Sequence, residues 1–169
     1  MRSITLITTG GTIEKTYDEA TGQLVNRGSQ LRRMLRRLRL EDTTVRIIEL
    51  MSKDSLYMTD EDRARVVEAV KLAAAEADGS GIVILHGTDT LTVTGEKLLQ
   101  EVKGLKIPVV LTGAMRPYEM TKSDALQNLT EAIFAAGVLP PGLYCVAHGR
   151  ALKFPGVVKD KGLGTFVAG

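Results

Sequence analysis

The sequence predicts a three-layer α/β/α fold around a mainly parallel sheet. Three observations lead there. Apolar segments of strand length alternate with segments of helical period along the 169 residues. One of the strand-length segments, GIVILH at 81–86, is a continuous apolar run, as a strand buried on both faces is. The strands are separated by helices, so they join as βαβ units with helices packed on both sides of the sheet.

Each element follows in order. SITLITT at 3–9 is the first strand, ended by Gly10-Gly11. LRRMLRRL at 31–38 has apolar residues at 31, 34, 35 and 38, one face of a helix. Its arginines, with Arg39, read as a solvated face. TVRIIEL at 44–50 is the second strand. A helix is expected from Asp60 to Ala77, with Val66, Val67, Val70, Ala73, Ala74 and Ala77 facing inward. Thr59 precedes it as a cap, and the acids at 60–62 suit the positive end of its dipole. The third strand is 81–86. A helical stretch at 93–102 leads to the fourth strand at 107–113, a helix runs from Ser123 to Ala136, and GLYCVAH at 142–148 is the fifth strand. The last twenty residues read as irregular, with a short strand at Thr165–Val167. Pro140-Pro141 marks a turn, and no linker or repeat divides the chain, so 1–169 is expected to be one domain.

Composition narrows the function. The chain is 44% hydrophobic and 25% charged, the balance of an ordinary globular protein, and no apolar run approaches the roughly 18 residues of a membrane helix. Met1 leads directly into a strand-like ITLITT instead of a secretory leader. One cysteine, Cys145, excludes an internal disulfide framework and a multi-cysteine metal site, and fits a reducing, cytoplasmic setting as a small buried residue. A net charge of +2 and 4% aromatics give no support to nucleic-acid coating or base stacking.

In parallel sheets, ligands bind beyond the carboxyl ends of the strands. Those ends carry TTGGT at 8–12, MSKDSLYMT at 51–59, HGTDT at 86–90, TGAMRP at 112–117 and HGRALKFPGVVKDKG at 148–162. The first three are rich in Thr, Ser and Asp, and the last holds several lysines. Gly10-Gly11 alone reads as a tight turn. GxGxxG and GxxxxGK[ST] are both absent, and no HExxH pattern occurs. A hydroxyl nucleophile remains, and it needs a proton acceptor. His86 and His148 read as structural strand-end residues, so a lysine becomes the candidate. An ordinary lysine, pKa about 10.4, is charged at neutral pH, so burial or an acid such as Asp89 must organise its proton.

Five segments, TTGGTI (8–13), DSLYMT (54–59), HGTDT (86–90), LTGAMRP (111–117) and SDALQNL (123–129), resemble the bacterial-type L-asparaginases, in their order and over most of the chain. The resemblance is to the short-chain form without the usual C-terminal domain, and it implies a flavodoxin-like N-terminal asparaginase domain. It further implies hydrolysis of L-asparagine to L-aspartate and ammonia through an acyl-threonine, with no cofactor and no metal. By that resemblance, Thr12 matches the primary nucleophile, and Thr88 matches the second threonine, working with Asp89 and a lysine. Lys159 is assigned to that position, with Lys153 and Lys161 close by. Asp54 and Ser55 match the pair near the substrate α-carboxylate, with Ser55 as the direct binder, and Asp89 doubles as anchor for its α-ammonium. Tyr17 matches the tyrosine of a mobile loop, here 15–28. Gly11 and the amides near Thr88 or Ala114 are the oxyanion donors expected. Thr90, Thr92 and Thr94 are taken as structural. Leu56 departs from the family, standing where many relatives carry a polar residue.

Two other classes compete: a catalytically weak or silent asparaginase-like module that binds an amino acid, and a subunit serving tRNA-dependent amidation, for which only the arginine helix speaks. The expected partner is L-asparagine, with no nucleic acid and no membrane, and the expected assembly is a homodimer or homotetramer.

Overall fold

The computed structural model describes residues 1–76 and 78–169. Strand β1 (Arg2–Gly10) leads into a hairpin of β2 (Thr16–Asp18) and β3 (Gln23–Val25), helix α1 (Leu31–Leu35) and β4 (Thr43–Lys53). Then come α2 (Asp60–Ala74), β5 (Gly81–Leu85), α3 (Leu91–Glu101), β6 (Pro108–Thr112), α4 (Ala125–Val138) and β7 (Gly142–Ala147). Three short strands close the chain: β8 (Arg150–Lys153), β9 (Val157–Asp160) and β10 (Thr165–Ala168). The main sheet has the order β4-β1-β5-β6-β7-β8, parallel except for the antiparallel edge strand β8.

The central strands are apolar throughout because both faces are covered. In β5, Ile82 and Ile84 face α2 and α3, while Val83 and Leu85 face α1 and α4. Alternation within one strand thus feeds two cores, and the predicted three layers are present. Helix α2 starts as its sequence requires: the Thr59 hydroxyl accepts from the Asp62 amide, and the Asp62 carboxylate accepts from the Thr59 amide. Ala77, the last position of the expected helical face, lies outside the described residues.

Several boundaries differ from expectation. The helix expected over 31–38 is α-helical only to Leu35. Beyond it Arg37 and Leu38 donate to Met34 and Leu35, three residues back, tightening the end into a turn. Helix α4 begins at Ala125 instead of Ser123, because the Ser123 hydroxyl accepts the Ala125 amide while Asp124 binds the preceding loop. The loop expected over 15–28 contains the β2–β3 hairpin. In the last twenty residues the strand expected at Thr165–Val167 is present as β10, but the rest is not irregular: β8 pairs with β7, and β9 pairs with β10. All these short strands, from β2 and β3 to β8, β9 and β10, are three or four residues long, too short to leave a clear period in the sequence.

Candidate active site

Parallel pairing brings the carboxyl ends of β1, β4, β5 and β6 to one edge of the sheet, and two glycines let their loops touch. Gly11 has φ 80°, and a Cβ there would stand 2.5 Å from the Gly87 nitrogen. A Cβ on Gly87 would stand 2.4 Å from Ser55 Oγ. Only residues without side chains permit these approaches. The result is a chain of contacts from the loop of Thr12, through that of Thr88, to that of Ser55. Thr12 opens a 3₁₀ turn (Thr12–Glu14) and is half-buried; Thr88 and Ser55 are buried. The Gly11 amide, expected as an oxyanion donor, already donates to the Lys53 carbonyl at 2.8 Å. In this structure, Gly11 supplies the close approach and not a free N–H.

The lysine comes from far along the chain. After β8 the chain turns at Phe154, whose ring lies over Gly95 of α3, and the Gly156 amide donates to the Glu96 carboxylate. That path carries β9 back to the carboxyl edge. There Lys159 Nζ donates to Thr88 Oγ1 at 2.7 Å and to Asp89 Oδ1 at 2.7 Å. The two alternatives sit elsewhere: the Lys153 ammonium lies 6.0 Å from the Tyr144 ring centroid, and Lys161 is exposed in the turn after β9. An ammonium held on a buried hydroxyl, with its charge balanced by a carboxylate, can move a proton and stabilise a developing oxyanion.

Ser55 is fixed by its neighbours: its Oγ accepts from the Thr90 amide and its carbonyl accepts from the Thr90 hydroxyl. Asp54 is paired with Lys15, Nζ to Oδ2 2.6 Å, and accepts from the Leu56 amide. Burial pushes the Asp54 carboxyl up, but the Lys15 bond and the Leu56 amide outweigh it and hold the carboxyl below its ordinary range. The Leu56 side chain is exposed, turned out from the neighbouring Ser55.

Tyr17 is not brought into this cluster. It is 58% exposed, its hydroxyl lies toward Gly22 at the bend of its own hairpin, and its amide donates to Glu119. The hairpin's return leg is tied in instead, since Asn26 Nδ2 donates to the Gly11 carbonyl at 2.9 Å. Glu14, the last residue of the Thr12 turn, is buried and accepts from the Thr8 and Ser29 hydroxyls and the Gln30 amide. Burial raises its pKa despite those bonds. Lys15, Asn26 and Glu14 escaped the sequence reading. Their types are common in exposed loops, and only their partners give them a role.

The remaining wall is the loop after β6. Ala114 is buried, and the amides of Met115 and Arg116 donate to Asp124. Burial pushes the Asp124 carboxyl up, but the Met115 amide, His148 and the Arg116 amide bring it below its ordinary value. His86 is a structural strand-end residue, as expected. It is fully buried, Nδ1 donates to the Gly87 carbonyl, and Nε2 accepts from Thr94. Burial, with the nearby Arg63 charge, lowers its pKa to about 4 against the Gly87 carbonyl's opposing pull. Cys145 is buried inside β7, and burial pushes its thiol up to about 12.

A family model described as asparaginase, N-terminal, matches residues 3–162. The L-asparaginase of Thermococcus kodakarensis is 33% identical over 156 residues, covering 92% of this chain and 47% of that protein. Its solved structure superposes with a TM-score of 0.87 at 31% identity, over 98% of this chain and 51% of the other. A probable cytoplasmic L-asparaginase from Campylobacter jejuni gives a TM-score of 0.89 at 28% identity, over 99% and 54%. A glutamyl-tRNA(Gln) amidotransferase component from Thermoplasma acidophilum is 32% identical over 144 residues, 80% of this chain and 33% of that protein. The chain therefore spans about half or less of the curated relatives it matches.

Proposed function

The chain belongs to the asparaginase family, and from that premise we propose that its site hydrolyses the side-chain amide of L-asparagine to L-aspartate and ammonia. The Thr12 hydroxyl oxygen attacks the amide carbon, and the carbon–nitrogen bond breaks. The Thr12 proton passes by way of Thr88 and Lys159 to the leaving nitrogen, which departs as ammonia. Water then attacks the acyl-threonine ester, its carbonyl carbon keeps the hydroxyl, and the proton returns to the Thr12 oxygen. Asp89 balances Lys159 and takes the substrate ammonium. The Ser55 hydroxyl donates to its carboxylate end beside the Lys15–Asp54 pair, and the segment around Ala114 lines the far wall. Tyr17 reaches the substrate only if the hairpin closes.

The observation that carries this reading is Lys159 Nζ at 2.7 Å from both the Thr88 hydroxyl and the Asp89 carboxylate. A binding role alone gives no reason to hold an ammonium on a buried hydroxyl. The test is ammonia release from L-asparagine by the purified protein. Turnover is expected, with Thr12→Ala and Thr88→Ala each lowering kcat by at least about 10³. Absence of release across millimolar asparagine overturns the reading. Calorimetric binding without product then assigns the chain to an amino-acid-binding module.

We also propose a homodimer or homotetramer in a cytoplasmic setting. The likeness to the probable cytoplasmic protein of Campylobacter jejuni and the single buried thiol support the latter. Among the described residues no helix is long and apolar enough to cross a membrane. Light scattering that gives a monomer at working concentration removes the assembly.

A further inference from the structure

His148 stands just beyond β7, outside the site described above, yet every polar atom of its ring and its amide is used. Its Nε2 donates to Asp124 Oδ2 at 2.6 Å, and its Nδ1 lies 2.7 Å from Thr165 Oγ1. Its backbone amide donates to Asn128 Oδ1 at 3.1 Å. The residue adopts φ 52°, a left-handed conformation that side chains rarely take. Backbone strain of this kind persists where surrounding contacts over-determine it.

The groups on either side of His148 lead back to the same threonine. On one side, Asn128 Nδ2 donates to the Gly113 carbonyl at 2.8 Å, and Asp124 holds the Met115 and Arg116 amides. Gly113 lies against the Thr88 loop: a Cβ there would be 3.1 Å from Thr88 Cγ2. On the other side, Thr165 belongs to β10, whose next residue, Phe166, is the register partner of Lys159. Lys159 returns to Thr88 at 2.7 Å. The contacts close a ring that starts and ends at Thr88 and passes through His148.

We infer that His148 is a positioning residue, a cross-brace that sets the strand of Lys159 against the loop of Gly113 and so fixes Lys159 on Thr88. It touches neither of the reacting groups. Thr165 both gives and accepts a hydrogen bond, so the link to Nδ1 holds whichever partner carries the proton. The inference rests on the proposed roles of Thr88 and Lys159, and it adds a reason for the C-terminal strands to pack where they do.

The test breaks the ring at its outer link with an isosteric change. Thr165→Val keeps the branched shape and removes the hydroxyl; Thr165→Ser restores the hydroxyl. Steady-state kinetics on L-asparagine should give Thr165→Val a kcat lower by about tenfold with KM within about twofold, since small misplacements of reacting groups cost rate. Thr165→Ser should recover most of that loss. Hydrogen exchange at the Met115 and Arg116 amides, which sit across the ring, should quicken in Thr165→Val and return in Thr165→Ser. Unchanged exchange at those amides in Thr165→Val overturns the cross-brace, whatever the activity. A wild-type protein that releases no ammonia overturns the proposed function and leaves the exchange result to decide the brace by itself. A kcat loss that Thr165→Ser does not recover also counts against it.

Discussion

Lys15 and Asp54 form an ion pair, Nζ to Oδ2 2.6 Å, that ties the segment after Thr12 to the loop after β4. Both side chains are mostly shielded, and the carboxyl is held below its ordinary value. A carboxyl depressed in the folded state adds stability above its unfolded pKa, near 3.8, and loses it as pH falls through the folded value. Lys15→Met should therefore lower the unfolding free energy at pH 7 by about 1 kcal/mol and flatten its fall below pH 4. Urea titrations at pH 7 and 3.5 measure both, and parallel curves for wild type and variant contradict the pairing.

The choice among three lysines is open to direct measurement. Lys159→Met should lower kcat at least about 10³-fold, because it breaks a unit that acts together. Lys153→Met and Lys161→Met should stay within about twofold of wild type, the range of surface changes remote from the chemistry. A large loss in either of these, with Lys159→Met active, would refute the assignment.

Gly87→Ala tests the contact between loops. The new methyl would stand 2.4 Å from Ser55 Oγ, so Ser55, Thr88 or both must move. Overpacking of this kind costs about 1–3 kcal/mol of stability. Displacement at the site should lower kcat/KM at least about a hundredfold. Chemical denaturation with steady-state kinetics reads both effects, and wild-type kinetics would show that the loops do not need this approach.

His86 should make the protein less stable in mild acid. Its pKa is about 4 in the folded chain against 6.5 for a free imidazole, so between those values the unfolded chain binds the extra proton. The stability present above pH 6.5 is lost as pH falls toward 4. From this group alone the unfolding free energy should drop by about 2 kcal/mol between pH 7 and 5. The ring, followed by NMR, should stay neutral at pH 5.5; a ring titrating near 6.5 contradicts its burial.

Much of this was legible from the residues. The strands and long helices follow from short-range periodicity, so their existence was readable and their ends were less so. TTGGT, DSLYMT and HGTDT lie at strand ends, and a parallel sheet brings such ends together whatever the loops contain. The hairpin around Tyr17 and strands β8 and β9 were not readable, being too short to show a period, although the short strand at Thr165–Val167 was read and is β10. Glu14 gave no signal, and His148 read only as a structural strand-end residue, because partners distant in sequence define what each does.

By itself, then, the sequence determined a parallel α/β sheet, the edge where the chemistry collects, and the threonines and acids at that edge. The resemblance assigned Lys159; the tertiary structure shows that it, and not Lys153 or Lys161, meets Thr88, and it alone decided that the Gly11 amide is already engaged and that Tyr17 stands apart. Periodicity records how a segment meets the nearest core, a local property. The Lys159–Thr88 contact spans 71 positions and depends on the turn at Phe154, the packing of its ring over Gly95 and the pairing of β9 with β10. No window of the sequence contains all three.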